Sequence, residues 1–307
     1  MNADLGISDG STAKLIVKSG ALQSPLVLVD IGCRDGINAR WEPITDRIEV
    51  YGFDAGVLEK STNPRHHYFQ MAIGDHDGDI GFHNDINPHE SRVSPTDGNR
   101  VAMAKLDTLW ADGRLPPADF LKIDCEGFEP QILRGATGYL AASNLLAAEV
   151  ETNFCISPTL PDSHFVEVLM PLLRERLVPA DLALDRPGPS TPLTRPGNCN
   201  ALFARMLPEE RRSGPSYIYR TPEHFPSLDT ILKSIIILDL HGLAYAAKAT
   251  LDTFGAEIST ALDPASIRDS LFRAEVSRPD IARPSYERFL PHLGFGLVSG
   301  LRRAIKR

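Results

Sequence analysis

Two carboxylates follow a short apolar segment near the middle of the chain. Residues 120–123 have the composition of a buried strand, and Asp124 and Glu126 come directly after them, followed by Gly127. In an open parallel sheet, ligands bind outside the carboxyl ends of the strands. Carboxylates at that edge could accept a proton from a substrate. The segment therefore predicts a catalytic site at the tip of this strand.

A third candidate acid, Glu151, ends another apolar segment, 145–151. Residues two apart on a strand point to the same side. Glu149 and Glu151 therefore either both face the cleft, or one of them pairs with a nearby arginine. Crowding of like charges would raise the pKa of at least one of Asp124, Glu126 and Glu151, which suits a general base. Any of the three could be that base. No ligand spacing in the chain is diagnostic of a metal, and no metal site is predicted.

The turn after the first predicted strand, 26–30, contains Asp30, Gly32 and Gly36 but lacks the third glycine of the dinucleotide motif G-x-G-x-x-G. Acids in this turn would repel a pyrophosphate and favour a cationic cofactor with an amino-acid part. Asp54 ends the second predicted strand, 47–53, where an acid can bind both hydroxyls of a ribose. Nicotinamide-dependent enzymes also carry an acid there. The missing third glycine is therefore what separates an enzyme that binds a cationic cofactor with an amino-acid part from a nicotinamide-dependent one.

Strands and helices alternate up to about residue 207, which predicts a βαβ sheet protein. Apolar runs predict further strands at 67–73, 80–83, 101–106, 180–184 and 200–206, and helices at 11–22, 106–111 and 163–177. After residue 208 the pattern becomes helical. We expect one helix over 228–262, with Gly242 on its apolar face, and another from 264 to 276. The predicted organisation is a tail and short helix over 1–25, an α/β domain over 26–207 and a helical extension over 208–307.

The composition is that of a globular protein, with 42% hydrophobic and 23% charged residues in 307. The net charge of −8 argues against nucleic acid as a partner. Four cysteines without a C-x-x-C pair, and no signal-peptide pattern, predict reduced thiols and a cytoplasmic protein. No apolar run is long enough for a transmembrane segment. The extension could complete an acceptor pocket, form a homo-oligomer interface, or make weak contact with a membrane surface through the basic and apolar stretch 295–307.

Six motifs in this order resemble the FkbM-type methyltransferases, which are class I enzymes dependent on S-adenosylmethionine. They are Asp-Ile-Gly-Cys-Arg-Asp-Gly, Tyr-Gly-Phe-Asp, Ala-Ile-Gly-Asp-His-Asp-Gly, Leu-Asp-Thr-Leu, Leu-Lys-Ile-Asp-Cys-Glu-Gly-Phe-Glu and Glu-Val-Glu, starting at residues 30, 51, 72, 106, 121 and 149. The resemblance covers about residues 26–207. It implies a Rossmann-like, mostly parallel seven-stranded sheet with helices on both faces, whose last strand, 200–206, runs antiparallel beside the sixth.

The resemblance also implies roles for individual residues. The methyl donor would lie over the first strand tips, with its methionine part on the loop of Asp30, Ile31, Gly32 and Gly36 and its ribose on Asp54. Met71, Ala72 and Ile73 would border the adenine, and Asp124 would face the reacting sulfonium. His89, Ser91 and Arg92 lie in the loop where family members carry acceptor contacts.

The function implied is O-methylation of a hydroxyl on a small-molecule or glycan acceptor, such as a sugar, a glycan precursor or another secondary metabolite. The preference for a hydroxyl comes from the family rather than from any residue. Two alternatives stay open: an NAD-dependent oxidoreductase, and a methyltransferase fold that serves only as a non-catalytic binding module.

Overall fold

The computed structural model describes residues 8–34, 36–56, 58, 61–83, 92–94, 98–153, 164–184, 198–205 and 225–276. The strands are β1 (Leu26–Ile31), β2 (Ile48–Asp54), β3 (His66–Gln70), β4 (Ala72–Ile73), β5 (Gly78–His83), β6 (Arg92–Ser94), β7 (Asn99–Ala104), β8 (Phe120–Ile123), β9 (Ala147–Asn153), β10 (Val178–Leu184) and β11 (Asn198–Ala204). The α-helices are α1 (Ser11–Ser19), α2 (Leu106–Ala111), α3 (Glu129–Arg134), α4 (Thr137–Ala142), α5 (Phe165–Arg174), α6 (Leu228–Leu240), α7 (Ala244–Thr253), α8 (Gly255–Ile258) and α9 (Pro264–Val276). A 3-10 helix, Ala39–Arg47, joins β1 to β2.

Seven strands form the main sheet, in the order β10-β11-β9-β8-β1-β2-β3. The strands from β9 to β3 in this order pair in parallel, whereas β11 pairs antiparallel with both β9 and β10. The predicted fold class is therefore confirmed, including the reversed last strand beside the sixth. Strands β8 and β1 lie at the centre, so their carboxyl ends meet in the middle of one sheet edge.

Strand β1 is apolar throughout most of its length because it is buried on both faces. Leu26 and Leu28 belong to the hydrophobic cluster on one face of the sheet. Val29 and Ile31 belong to the cluster on the other face. This two-sided burial holds the turn after β1 against the core on both sides.

Helix α6 covers the first of these faces and lies in the same hydrophobic cluster as β1, β2 and β8. All ten residues from Ile231 to Leu240 are buried, which fits a helix that is apolar on nearly every side. Its start is capped by Ser227, whose hydroxyl accepts a hydrogen bond from the Thr230 N–H at 3.2 Å. The prediction of one helix over 228–262 is wrong, because Gly242 takes a left-handed backbone (φ 70°) and ends the helix.

Helix α1 joins the C-terminal helices on this face. The Asp239 carboxylate in α6 accepts a hydrogen bond from the Ala13 N–H at 3.0 Å, and the Thr12 hydroxyl donates to Ser270 in α9 at 3.0 Å. The predicted division into 1–25, 26–207 and 208–307 stays a prediction, but helices from the outer two segments pack together on the central sheet.

A smaller sheet, in the order β4-β7-β5-β6, stands beside the main one. The predicted strand 67–73 is divided at Met71, because Ala72 and Ile73 pair with β7 instead of continuing beside β2. Phe128 and Ala55, which follow β8 and β2, pack against the apolar residues of this small sheet. The small sheet therefore borders the edge where the candidate site lies. Within the described residues, no helix is long and apolar enough to cross a membrane.

Candidate active site

The turn after β8 is held by a buried carboxylate that the sequence did not single out. Glu126 has a positive φ of 53° and Gly127 one of 97°, so the chain reverses sharply before α3. The first residue of that helix, Glu129, is 1% exposed. Its Oε1 accepts hydrogen bonds from the N–H groups of Cys125 at 2.8 Å and Gly127 at 3.2 Å. Glu129 thereby fixes the turn that carries Asp124 and Glu126.

The three predicted catalytic acids do come together. Asp124 and Glu126 follow β8, and Glu151 lies in β9, two residues before its end. One carboxylate oxygen from each lies within 4.8 Å of the others, and all three residues are half-buried. Oxygens at this spacing are of the kind that could hold a divalent cation, although the sequence predicted no metal site.

Burial, followed by the charges of Asp124, Glu129 and Glu126, raises the pKa of Glu151 to about 9. Burial also raises the pKa of Glu129 to about 7. Glu151 therefore favours its protonated form more strongly than an ordinary glutamate does, and its carboxyl group is hydrogen-bonded to Asp124. A carboxyl pair that retains one proton is a common arrangement in acid–base sites.

The turn after β1 packs directly on this cluster. Gly32 has a φ of 89°, and a Cβ at this position would lie 1.9 Å from the carbonyl oxygen of Asp124. The Asp124 N–H donates to the Ile31 carbonyl at 2.9 Å. Only glycine satisfies both the close approach and the backbone conformation. Gly36, with a φ of 81°, faces open space, because a Cβ added there would have no atom of the described residues within 4 Å.

Asp30 is 1% exposed, and its Oδ1 has no hydrogen-bond partner within the described residues. The ammonium group of Lys122 lies 3.7 Å from that oxygen and 3.2 Å from Oδ2 of Asp124. Burial raises the pKa of Asp30 to about 6, although Lys122 opposes the rise. Burial acts to lower the pKa of Lys122, but Asp30 and the other nearby carboxylates outweigh it and raise that pKa.

Asp54 ends β2 at the same edge of the sheet. Its Oδ1 accepts a hydrogen bond from the Gly56 N–H at 2.6 Å and lies 3.8 Å from Nε of Arg34. The Arg34 guanidinium also lies over the ring of Phe82, 5.8 Å from its centroid. The predicted ribose-binding acid therefore lies beside Arg34 of the first turn, and Arg34 in turn contacts the small sheet through Phe82.

The predicted adenine neighbours follow β3, next to Gln70, which is the register partner of Asp54. Met71 is half-buried, whereas Ala72 and Ile73 are 5% and 2% exposed, so their side chains lie in the core. Of the predicted acceptor contacts, His89 and Ser91 lie outside the described residues. Arg92 pairs with His83 in the small sheet through its backbone.

Sequence reasoning missed two residues of this site, Lys122 and Glu129. The signal for Lys122 was a basic residue within an otherwise apolar central strand, where burial requires a partner. Glu129 gave a weaker signal, since an acid in the first turn of a helix is common without any role in a site.

These features fit a cationic nucleoside with an amino-acid part. The buried Asp30 oxygen, which lacks a hydrogen-bond partner among the described residues, could accept a hydrogen bond from an ammonium group. Asp54 stands on the neighbouring strand for a ribose. Parallel strands with one reversed strand near the edge, together with acids and glycines at the tips, define a Rossmann-like methyltransferase fold.

Comparison with protein families agrees with this class. Residues 34–175 match the family model described as "Methyltransferase FkbM domain". This segment therefore belongs to the FkbM methyltransferase family, as its motifs predicted, and S-adenosylmethionine is the cofactor of such a domain. The match supports a methyltransferase over the NAD-dependent oxidoreductase.

Among curated proteins, none matches this sequence. Solved structures similar to it include an FkbM methyltransferase from Methylobacillus flagellatus KT, at 15% identity and a TM-score of 0.34, over 60% of this chain and 46% of that one. MycE from the mycinamycin biosynthetic pathway, in complex with Mg and SAH, gives 14% identity and a TM-score of 0.29, over 67% of this chain and 51% of that one. A TehB-like SAM-dependent methyltransferase from Corynebacterium glutamicum gives 12% identity and a TM-score of 0.28, over 63% of this chain and 86% of that one. The chain thus spans about half the length of the first two structures.

Proposed function

We propose that this protein is an S-adenosylmethionine-dependent O-methyltransferase that acts in the cytoplasm on a hydroxyl of a sugar, a glycan precursor or another secondary metabolite. The observation that carries the proposal is the meeting of Asp124, Glu126 and Glu151 beside the turn of Gly32. The hydroxyl preference comes from the family, and the acid cluster is consistent with it because an alcohol must lose a proton on methylation.

The donor-binding part of the proposal rests on the first two strand tips. Asp30 would accept a hydrogen bond from the ammonium group of the methionine part, and Asp54 would bind the ribose hydroxyls. Ile31, Gly32 and Gly36 would shape the loop beneath, and Met71, Ala72 and Ile73 would border the adenine. When bound, the donor supplies a methyl group on a positively charged sulfur, which is already electrophilic.

The remaining task of the protein is to place the acceptor and take up its proton. An acceptor hydroxyl would have to lie close to 3 Å from the methyl carbon and in line with the bond that breaks. In the isolated protein the raised pKa of Glu151 favours a proton on its carboxyl group, which forms a hydrogen-bonded pair with Asp124. Beside a bound cation the pair would release that proton more readily and could then accept one from the hydroxyl. Glu126 completes the cluster as an alternative acceptor of the proton.

The acceptor would enter beside the small sheet. Phe82 lies against Arg34 at the border of the site, and the segment that carries His89 and Ser91 begins two residues after it. Polar groups of this segment and Arg92 would then donate and accept hydrogen bonds with a hydroxylated acceptor. A binding surface of this kind suits sugars, whose hydroxyls require several hydrogen-bond partners.

Two measurements on the purified full chain test the proposal. Calorimetry with S-adenosylmethionine, S-adenosylhomocysteine and NAD should show binding of the first two and none of NAD. Transfer of an isotope-labelled methyl group to a panel of hydroxylated acceptors should then yield a methyl ether. Binding of NAD alone would refute the donor assignment. Donor binding without transfer to any acceptor class would favour the non-catalytic binding module, and transfer to nitrogen or carbon alone would refute O-methylation.

A further inference from the structure

A row of charged side chains crosses the centre of the main sheet behind the candidate site. Asp30 in β1, Lys122 in β8 and Glu149 in β9 are direct register partners across the parallel strands. Register partners in a parallel sheet point to the same face, and this is the face that α6 covers. Asp30 and Glu149 are 1% and 7% exposed. Three charges in such a place are costly to bury unless each one stabilises another.

Lys122 connects the two halves of the site. Its ammonium lies 3.2 Å from Asp124 at the tip of β8 and 3.7 Å from Asp30 at the tip of β1. These two acids belong to different loops, one predicted to hold the methionine part of the donor and the other to face the sulfonium. The Lys122 ammonium thus links the side chains of Asp30 and Asp124, in addition to the backbone hydrogen bond between Asp124 and Ile31.

Two residues outside the strands lie against the Glu149 carboxylate. Nη1 of Arg40, in the 3-10 helix, lies 2.9 Å from its Oε2, and Nε2 of His241, at the end of α6, lies 3.5 Å from the same oxygen. Nδ1 of His241 donates a hydrogen bond to the Ile237 carbonyl at 2.7 Å, which fixes the ring. His241 is 1% exposed and Arg40 is 3% exposed.

We propose that Lys122 is a positioning residue that holds Asp30 and Asp124 in the geometry needed to bind the methyl donor, and that α6 supports it through the contact of His241 with Glu149. This proposal rests on the proposed function, because the effect concerns donor binding. It gives the helical region after residue 208 a part in the site, although none of its described residues belongs to the acid cluster.

The chain offers a matched control for Lys122. Lys233 in α6 is also ion-paired, with its ammonium 2.9 Å from Oδ2 of Asp119, and its side chain is 8% exposed against 17% for Lys122. Asp119 precedes β8, whereas Asp124 follows it, so the Lys233 pair lies at the opposite end of the strand from the site. Replacement of either lysine by methionine removes one ion-paired charge from the interior side of a sheet strand or helix, but only Lys122→Met removes it from the site.

The experiment measures donor affinity by calorimetry, the kcat and the donor KM, and the melting temperature of the full chain. We expect Lys122→Met to weaken donor binding by about tenfold or more, as for a lost charged hydrogen bond, with a matching rise in the donor KM. His241→Gln should weaken binding in the same direction by a smaller factor. Lys233→Met should lower the melting temperature and leave donor affinity within about twofold of the wild type.

Three results would overturn the proposal. Unchanged donor affinity in folded Lys122→Met would show that the lysine is only structural, and tighter binding would show that its charge competes with the donor. An equal loss of affinity in Lys233→Met would show that any lost ion pair has this effect. If donor affinity were unchanged in His241→Gln but reduced in Lys122→Met, the proposed role of α6 would be refuted.

If Lys122→Met does not fold, Glu149→Gln tests the same row of charges with a side chain of nearly equal size, and should weaken donor binding and raise the donor KM. Unaltered affinity in that variant would count against the proposal. If the wild-type protein itself binds no donor, the proposed function is refuted. If the wild type and Lys122→Met bind the donor equally well, the proposed function stands and only the role of Lys122 is refuted.

Discussion

The contact between Gly32 and Asp124 gives a sharp test of how the site is built. In Gly32→Ala, the new Cβ would lie 1.9 Å from the Asp124 carbonyl oxygen and 3.3 Å from Sγ of Cys125. Since real Cβ contacts stay beyond 3.0 Å, the two backbones would have to separate by roughly 1 Å. The alanine must also adopt a φ of 89°, which costs about 1–2 kcal/mol on its own.

Gly36→Ala is the matched control, because its φ of 81° imposes a similar backbone cost while its Cβ would meet nothing within 4 Å among the described residues. We expect Gly36→Ala to lower the free energy of unfolding by about 1–2 kcal/mol. Gly32→Ala should lower it by a further 1–3 kcal/mol or so, about the usual cost of overpacking. It should also weaken donor binding, because the displaced backbone carries Asp124.

Denaturant unfolding of Gly32→Ala and Gly36→Ala gives the difference between their free energies of unfolding directly. Calorimetry with S-adenosylhomocysteine then shows whether the surviving fold still binds the donor product. If the two alanine variants lost the same stability, the tight packing of the first turn on Asp124 would be refuted, and with it the explanation of why glycine stands at position 32.

Three further predictions follow from the site. Asp54→Ala should weaken donor binding about tenfold or more, because a charge-assisted hydrogen bond is lost; unchanged affinity by calorimetry would remove the ribose assignment. Asp124→Asn should lower kcat strongly and leave the melting temperature close to that of the wild type. A variant that only loses stability would show that Asp124 has a structural role instead of a catalytic one. Burial raises the pKa of Glu129 from 4.5 to about 7, so the folded protein binds this proton more tightly than the unfolded chain, and stability falls as pH rises through this window. Glu129→Gln, whose amide oxygen can still accept from Cys125 and Gly127, should remove up to about 3 kcal/mol of that fall between pH 4.5 and 7, as measured by urea unfolding; an unaltered pH dependence would show that Glu129 is not its source.

Local patterns were enough to predict the strands that build the site. Each of β1, β2 and β8 is a short, largely apolar run with an acid at or just beyond its end, and acids at the ends of neighbouring parallel strands must meet at one edge. The sequence alone thus predicted that Asp124 and Glu151 would both lie at this edge. It also left open that one of Glu149 and Glu151 would pair with a nearby arginine, and in the structure Glu149 pairs with Arg40.

The helical region shows where such reasoning fails. Apolar spacing continues through Gly242, so the sequence predicts one long helix, whereas the left-handed backbone of this glycine starts a turn. A second error lies at Met71, where pairing with β7 competes with continuation of β3. In both cases the outcome depends on which distant segment packs there, and periodicity along the chain contains no information about that.

The contacts behind the site were out of reach for the same reason. Arg40 and His241 both contact Glu149, although 109 residues separate Arg40 from it in the sequence. No local motif links a 3-10 helix, a central strand and the end of α6. Their meeting is a property of the sheet order, which is known only once the strands are paired.

The span of the family match has a practical consequence for protein production. It begins at residue 34 and stops at residue 175, and so leaves out β1, the strand between β8 and β2, as well as β10 and β11. A recombinant fragment trimmed to those limits would lack β1 from the interior of the sheet and expose the apolar surface that α6 shields. Expression trials should therefore retain at least residues 8–276, and aggregation of a shorter piece would say nothing about whether the full chain has the proposed activity.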